Sequence, residues 1–186
     1  MSKIILASNS PRRKELMERE HIPFTVEASD IEEVLDPSLS VEERLKKLAL
    51  SKGMPIHEKH PEDVVISADT TCYHNGKILG KAHSREEAKA MLLSFSDDLQ
   101  TVYTAVAIFF PDETINFIDS TKVIFKDITN RIDDYLDTGE WINKAGAYAI
   151  QLKGQAFIKD VDGDVDTVIG LPVKKVKQIL IDHHVL

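Results

Sequence analysis

The sequence lacks several features that mark particular classes of protein. It contains one cysteine, Cys72, so no internal disulfide can form, and a single thiol suits a reducing cytoplasm. No apolar run approaches the roughly 20 residues of a membrane-spanning helix. No signal peptide is predicted, because Met1–Leu6 leads directly into a strand-like segment. We therefore expect a cytoplasmic protein that does not associate with a membrane.

Basic residues are also fewer than acidic ones. The 186 residues contain 23 Lys and Arg against 31 Asp and Glu, which gives a net charge of −8. This balance argues against duplex nucleic acid or an anionic membrane as a general partner, because both are polyanions. Any anion that the protein binds must be met by a local cluster of cations. The hydrophobic share of 42% is that of an ordinary globular protein, and the chain is long enough for a sizeable core.

The spacing of apolar residues predicts alternating strands and helices. Strands are predicted at 3–7, 63–69, 100–110 and 114–125. Helices are predicted from 11 onward, at 40–53 with Gly53 as a stop, at 84–95, at 129–138 and from 171 to near the chain end. Asn75-Gly76 and Asp162-Gly163 each predict a hairpin. Because hairpins and crossover connections coexist, we predict an α/β fold with a mixed sheet, as a single domain over residues 1–186.

The first predicted helix begins with an unfavourable arrangement of charge. Ser10 can cap it, and Pro11 suits its first position, where a missing N–H costs nothing. Arg12, Arg13 and Lys14 then occupy the first turn, the positive end of the helix dipole, where carboxylates are preferred. These cations become favourable once a polyphosphate lies in front of the helix.

The polar loop before this helix supports the same interpretation. Ser8, Asn9 and Ser10 add polar contacts to the backbone N–H groups that a helix N-terminus presents to an anion. The loop has no glycine and no P-loop lysine, so it is not a P-loop. The residues alone leave an alternative open, in which Arg12 and Arg13 are solvated and pair with nearby acidic side chains.

A second polar group stands at the end of a predicted buried strand. Asp69 directly follows the apolar run "VVISA", and such strand ends border the usual binding crevice of α/β sheets. Its carboxylate could hold Mg²⁺ or deprotonate a water, or it could cap a turn. Glu32 and Glu33 are further metal candidates, although acidic pairs are commonly plain surface. Lys52 could reach a phosphate or complement a helix C-terminus.

Five ordered blocks of sequence resemble one known family. They are "LASNSPRRKEL" at 6–16, "ADT" at 68–70, "ILGK" at 78–81, "NKAGAYAIQ" at 143–151 and "GLP" at 170–172. In order and spacing they resemble the Maf family, also called septum formation inhibitor proteins, over essentially the whole chain. The resemblance implies an extended mixed sheet flanked by helices, in two lobes with a central cleft.

The resemblance implies an enzyme that hydrolyses a nucleoside triphosphate to the monophosphate and pyrophosphate with a divalent cation, Mg²⁺ or Mn²⁺. Asp69 would be the catalytic base, a metal ligand together with Glu33, or both, and these roles stay open. The residues at the substrate would be Ser8, Ser10, Arg12, Arg13, Lys52 and Lys81. A homodimer is plausible by resemblance, and no feature of the sequence demonstrates one.

Substrate preference follows from three positions of the resemblance. Arg12, Thr70 and Gln151 match the branch of the family that favours dTTP and UTP, together with some modified pyrimidine nucleotides. A threonine or glutamine side chain can hydrogen-bond a base edge and so reject the wrong base. The alternatives are the same chemistry on 7-methyl-GTP or another modified nucleotide, or a nucleotide-binding regulator of septum formation.

Several residues depart from the family pattern. Ser67 and Ala149 stand where glycine is usual, and Val165 replaces an aromatic residue that is common after "GD". The changes at 149 and 165 put substrate preference in more doubt than catalysis.

Overall fold

The computed structural model describes residues 2–31 and 36–186. Within these ranges the strands are β1 (Ile4–Leu6), β2 (Thr25–Val26), β3 (Val64–His74), β4 (Lys77–Leu79), β5 (Leu99–Phe109), β6 (Thr114–Phe125) and β7 (Ile158–Asp162). The α-helices are α1 (Pro11–Arg19), α2 (Val41–Lys59), α3 (Arg85–Phe95), α4 (Ile132–Asp137), α5 (Val165–Ile169) and α6 (Val173–Asp182). Short 3₁₀ helices span Thr129–Arg131 and Lys153–Phe157.

The seven described strands form one sheet in the order β2-β1-β3-β5-β6-β7, with β4 paired to β3. β1 pairs in parallel with both β2 and β3, whereas β3 with β4 and β6 with β7 are antiparallel. The prediction of an α/β fold with a mixed sheet flanked by helices is therefore confirmed. Parallel β1 and β3 need a long crossover, which contains α1 and α2.

The chain divides into two compact units. The first contains Met1–Asp69, Thr104–Asp119 and Gly170–Leu186, and the second contains Thr70–Tyr103 and Ser120–Ile169. In the first unit, Leu6, Ile66 and Phe109 are among the fully buried apolar residues; in the second, Phe95 and Phe125 lie in one buried cluster. The single domain over residues 1–186 stays a prediction.

Helix α2 is longer than the sequence predicted. It begins with a capping box between Ser40 and Glu43, and it runs through Gly53 and Pro55 to Lys59. The predicted stop at Gly53 is wrong because this glycine serves close packing. A Cβ at Gly53 would lie 2.3 Å from the Phe109 ring and 2.6 Å from the Ser67 hydroxyl.

The two predicted hairpins have different outcomes. Asn75 and Gly76 have φ of 47° and 77° and join β3 to β4, as predicted. Asp162-Gly163 is followed by α5, so the second hairpin is wrong. A Cβ at Gly163 would lie 2.6 Å from the Thr121 hydroxyl, and that hydroxyl donates to the Asp164 carbonyl at 2.8 Å. Gly163 thus allows close packing on β6.

None of the helices in residues 2–31 and 36–186 combines the length and the apolar content that crossing a membrane requires.

The contacts of Gly53 predict the effect of a single added carbon. Because Phe109 is fully buried and cannot move aside, we expect Gly53→Ala to lower the free energy of unfolding by about 1–3 kcal/mol. This cost outweighs the gain of about 1 kcal/mol in helix propensity. Urea unfolding measures the difference. Gly80→Ala is the matched control, since a Cβ there meets nothing within 4 Å, and a comparable loss in both variants would contradict the packing argument.

Candidate functional site

The site begins where the chain leaves β1. Leu6 is in parallel register with Ile66, and the Ala7 N–H donates to the Ile66 carbonyl at 2.8 Å. Because the two strands run in the same direction, the chain leaves β1 at Ser8 beside the stretch of β3 that carries Asp69. Two of the predicted site segments are therefore neighbours in the first unit.

The N-terminus of α1 is a helix end without a side-chain cap. Ser10 occupies the N-cap position as predicted, and its carbonyl accepts the Lys14 N–H at 3.3 Å, but its side chain makes no capping bond. The first turn carries no acidic residue, and Arg12 and Arg13 are half-buried. This end of the helix thus combines a positive dipole with fixed cations, an arrangement that favours an anion.

Arg13 organises the loop in front of the helix. Its Nε donates to the Gly170 carbonyl at 2.8 Å, and its Nη1 donates to the Ser8 hydroxyl at 3.1 Å. The Ser10 N–H also donates to that hydroxyl oxygen, at 3.3 Å. A serine hydroxyl has two acceptor positions and one hydrogen. With both acceptor positions used, Ser8 is arranged to donate its hydrogen to an oxygen ligand.

Lys52 and Asp69 form an ion pair. The Lys52 Nζ donates to Asp69 Oδ1, and the two side chains are 21% and 14% exposed. Side chains alternate along a strand, so Ser67 and Asp69 share the face of β3 that contacts α2. The Ser67 hydroxyl donates to the Ala49 carbonyl of α2 at 2.6 Å. Asp69 and Lys52 therefore meet through the packing of one strand on one helix.

Three residues with structural roles here were not recognised from the sequence. Gly170 supplies the carbonyl that holds Arg13, Ser67 bonds α2 as described, and the Ser29 hydroxyl donates to the Lys52 carbonyl at 2.9 Å. Each contact joins residues at least 18 positions apart, so local patterns could not indicate them. The available signals were the place of Gly170 in the block "GLP" and the serine at position 67, where glycine is usual.

Among the described residues, the other predicted site residues belong to the second unit. Thr70 follows Asp69 on β3 and is half-buried, with its side chain on the opposite face of the strand. Lys81 is exposed and forms a backbone bridge with Ala145. Gln151 is exposed at the end of the segment 143–151.

A buried phenol supports the segment that carries Gln151. The Ala149 N–H donates to the Tyr135 Oη at 3.2 Å. A Cβ at Gly154 would lie 2.6 Å from the Ala149 carbonyl oxygen, so the chain folds back tightly just after Gln151. Ala147 has a φ of 61°, a left-handed conformation that is uncommon for alanine.

Metal binding was predicted for Asp69 and Glu33. Glu33 lies outside the described residues. Within 2–31 and 36–186, no three His, Cys, Asp or Glu side chains are grouped to hold a metal ion. A cation that arrives with substrate phosphates needs only one or two protein carboxylates, and the Asp69 carboxylate fits that role.

A cavity of about 390 Å³ in the first unit is a separate feature. Its lining includes Phe110, Glu113 and His183, and none of the predicted site residues. The His183 ring stacks on Phe110 at 4.3 Å, and its Nε2 lies 3.1 Å from Glu113 Oε1. These contacts give His183, Phe110 and Glu113 a structural role, because they hold the C-terminal end of α6 in place.

A family model and relatives of known name match this chain over nearly its whole length. A family model described as "Maf-like protein" matches residues 3–183. A dTTP/UTP pyrophosphatase of Shouchella clausii (strain KSM-K16) is 41% identical over 186 residues, covering 100% of this chain and 97% of its own. A dTTP/UTP pyrophosphatase of Bacillus cereus (strain G9842) is 41% identical over 187 residues, covering 98% of each. Among solved structures, a HAM1 protein from Coxiella burnetii gives a TM-score of 0.41 at 14% identity, over 67% of this chain and 73% of that one.

The environment of Tyr135 predicts a pH dependence of stability. Burial raises the pKa of Tyr135 to about 12, while the Ala149 N–H opposes that rise. Because the folded pKa lies above the ordinary value of about 10, the contribution to stability is present below pH 10 and is lost as the pH rises through 12. We expect the free energy of unfolding to fall less steeply above pH 10 in Tyr135→Phe than in the wild type. Urea unfolding at stepped pH measures both slopes, and parallel curves would contradict the assignment.

Proposed function

This chain belongs to the Maf-like family, and from that premise we propose that it is a nucleoside triphosphate pyrophosphatase acting on dTTP and UTP. The names of relatives that match over the full chain confirm the function predicted from the sequence. In this reaction water attacks a triphosphate, the α–β phosphoanhydride breaks, and the nucleoside monophosphate and pyrophosphate are released.

The observation that carries the proposal in the structure is the Lys52–Asp69 pair beside an uncapped helix end with arginines in its first turn. Phosphoanhydride hydrolysis needs charge on the triphosphate to be neutralised and a water to be activated. The arginines and the helix N-terminus supply the first requirement. A carboxylate supplies the second.

We propose that Asp69 activates the attacking water. As a carboxylate it can accept a proton from a water that one of its oxygens orients. Lys52 holds the other oxygen, Oδ1, and so fixes the orientation of the group. An ammonium carries three hydrogens, so Lys52 can keep this bond and also contact a phosphate oxygen.

The triphosphate would lie at the start of α1. Ser8 would donate its hydroxyl hydrogen to a phosphate oxygen, because Arg13 and the Ser10 N–H already use its acceptor positions. Ser10 at the N-cap and Arg12 in the first turn would also contact the triphosphate. Arg13 acts partly through Ser8, since two of its nitrogens are bonded within the protein.

Base recognition would fall to Thr70 and Gln151, the residues that the sequence predicts for it. Thr70 neighbours Asp69 in the chain, and Gln151 ends a segment that Tyr135 and Gly154 hold in place. Their amide and hydroxyl groups suit the donor and acceptor edge of a pyrimidine. Lys81 would add a further cation toward the substrate.

The proposal includes a divalent cation, Mg²⁺ or Mn²⁺. Asp69 would hold it, with Glu33 as the second predicted ligand. When bound, such a cation neutralises charge on the triphosphate.

A substrate panel tests the proposed function directly. We expect purified protein with Mg²⁺ or Mn²⁺ to release pyrophosphate, not orthophosphate, from dTTP and UTP, and to act more weakly on CTP and 7-methyl-GTP. Asp69→Asn should lower kcat at least about 100-fold, because a general base contributes about 10²–10⁴-fold. Asp162→Asn, on an exposed carboxylate of β7, is the matched control and should retain full activity.

The outcomes of this panel separate the alternatives. Pyrophosphate mainly from 7-methyl-GTP would preserve the chemistry and reject the assigned roles of Thr70 and Gln151. Binding of dTTP without turnover would reject the enzymatic proposal in favour of a nucleotide-binding regulator.

The contacts of Ser8 and Arg13 predict a coupled pair. Ser8→Ala removes one hydrogen bond to a charged group, so we expect kcat/KM for dTTP to fall about 10–100-fold. Arg13→Lys keeps the charge but replaces two bonded nitrogens at separate, fixed positions with a single one, so we expect a similar loss. Because the arginine acts partly through the serine, the double variant should lose much less than the product of the two effects. Steady-state kinetics on the three variants measures the coupling; multiplicative losses would show that the residues act independently.

A further inference from the structure

We propose that Ser67 is a positioning residue which, together with Gly53, holds Lys52 against Asp69. The inference rests on the proposed function of that ion pair. Ser67 itself has no polar group directed at substrate, because its side chain is fully buried and its hydroxyl is bonded to α2.

The contact between Ser67 and α2 requires that position 53 of the helix carries no side chain. The Ala49 carbonyl accepts the Ser67 hydroxyl at 2.6 Å, and in the helical ladder the same carbonyl accepts the N–H four residues on, at Gly53. A Cβ at position 53 would lie 2.6 Å from the Ser67 Oγ. The hydroxyl therefore occupies the space that any other residue at 53 would fill. Serine and glycine form a matched pair across the interface.

The Ser67–Ala49 hydrogen bond and the Lys52–Asp69 ion pair both join β3 to α2. Ser67 precedes Asp69 by two residues on one face of β3, and Ala49 precedes Lys52 by three residues on α2. Two strand residues advance about 6.6 Å, whereas three helical residues advance about 4.5 Å. Because α2 packs on β3 and only residues 60–63 join them, the two elements run in opposite directions and these offsets add to about 11 Å. The long lysine side chain, which leaves the helix toward its N-terminus, spans much of this separation. The Ser67–Ala49 hydrogen bond therefore fixes the backbone positions from which Lys52 and Asp69 form their ion pair.

The turn of α2 that carries Lys52 needs such support. Pro55 lies inside the helix and has no N–H, so the Ser51 carbonyl loses its ladder partner. The Ser29 hydroxyl bonds the Lys52 carbonyl at 2.9 Å, one turn away from the Ser67 contact. Two serine hydroxyls thus hold carbonyls of the segment in which the helical ladder is interrupted.

The main experiment is a double-mutant comparison in the full-length protein. We expect Ser67→Ala to lower kcat for dTTP about tenfold, because displacements of about 1 Å at a reacting group cost up to 10²-fold. In a Lys52→Met background the same substitution should change kcat less than about twofold, because the residue through which it acts is gone. Equal loss in both backgrounds would overturn the proposal and leave Ser67 a general structural residue.

A second measurement does not depend on turnover. Limited acetylation followed by mass spectrometry reports the reactivity of each lysine amine in the substrate-free protein. We expect Lys52 to react several-fold faster in Ser67→Ala than in wild type, relative to the exposed Lys122 on β6. Unchanged labelling of Lys52 would overturn the positioning role. Because labelling needs no substrate, it still tests the contact if the protein hydrolyses no nucleotide, so the two proposals fail separately.

Two further variants separate positioning from loss of stability. Thr121→Val removes a comparable buried hydroxyl, whose bond to the Asp164 carbonyl is 2.8 Å, and it should leave both kcat and Lys52 labelling unchanged. Ser67→Cys keeps a weak donor at the same position and should give labelling between wild type and Ser67→Ala. Lys52 labelling in Thr121→Val equal to that in Ser67→Ala would assign the effect to destabilisation alone.

Discussion

The parallel pairing of β1 with β3 is the constraint on which the site of the first unit depends. A one-residue slip in this register would turn Asp69 away from α2 and exchange the faces on which Ser67 and Ala68 lie. Both strands are apolar and buried over the paired residues, so such a slip would also exchange side chains of different size between two packed faces and disrupt the hydrophobic core. Hydrophobic burial therefore holds the polar groups of the site in register.

The charges of the site oppose the stability of the empty protein. The first turn of α1 has no carboxylate to offset its dipole, in a chain whose net charge is −8. Arg13 is tolerated because its nitrogens are bonded to the Gly170 carbonyl and the Ser8 hydroxyl, which replace part of its hydration. The same bonds fix its planar group in position. Neutral oxygens thus stabilise Arg13 at the helix end where we propose that the triphosphate binds.

Glycines show where reading the sequence succeeded and where it failed. Asn75-Gly76 was predicted correctly because both residues take the left-handed conformation that a two-residue hairpin requires. Gly53 and Gly163 were misread as a helix stop and a hairpin turn. Each instead lies against a residue distant in sequence, Phe109 and Thr121 respectively, where a Cβ would overlap. Local propensity describes the conformation that a glycine permits and carries no information about the neighbour that requires it.

The sequence by itself determined the class of the fold, the cationic start of α1 and the identity of Asp69 and Lys52 as chemical groups. These depend on residue type and short-range spacing, which periodicity and capping rules capture. Only the tertiary structure decided that Asp69 and Lys52 meet, that Arg13 is bonded to Ser8 and Gly170, and that Ser67 bonds α2. Each of these contacts except Arg13 with Ser8 joins residues that are 17 or more positions apart. Their existence depends on how a helix packs on a strand, and that packing is set by the side chains of the whole interface.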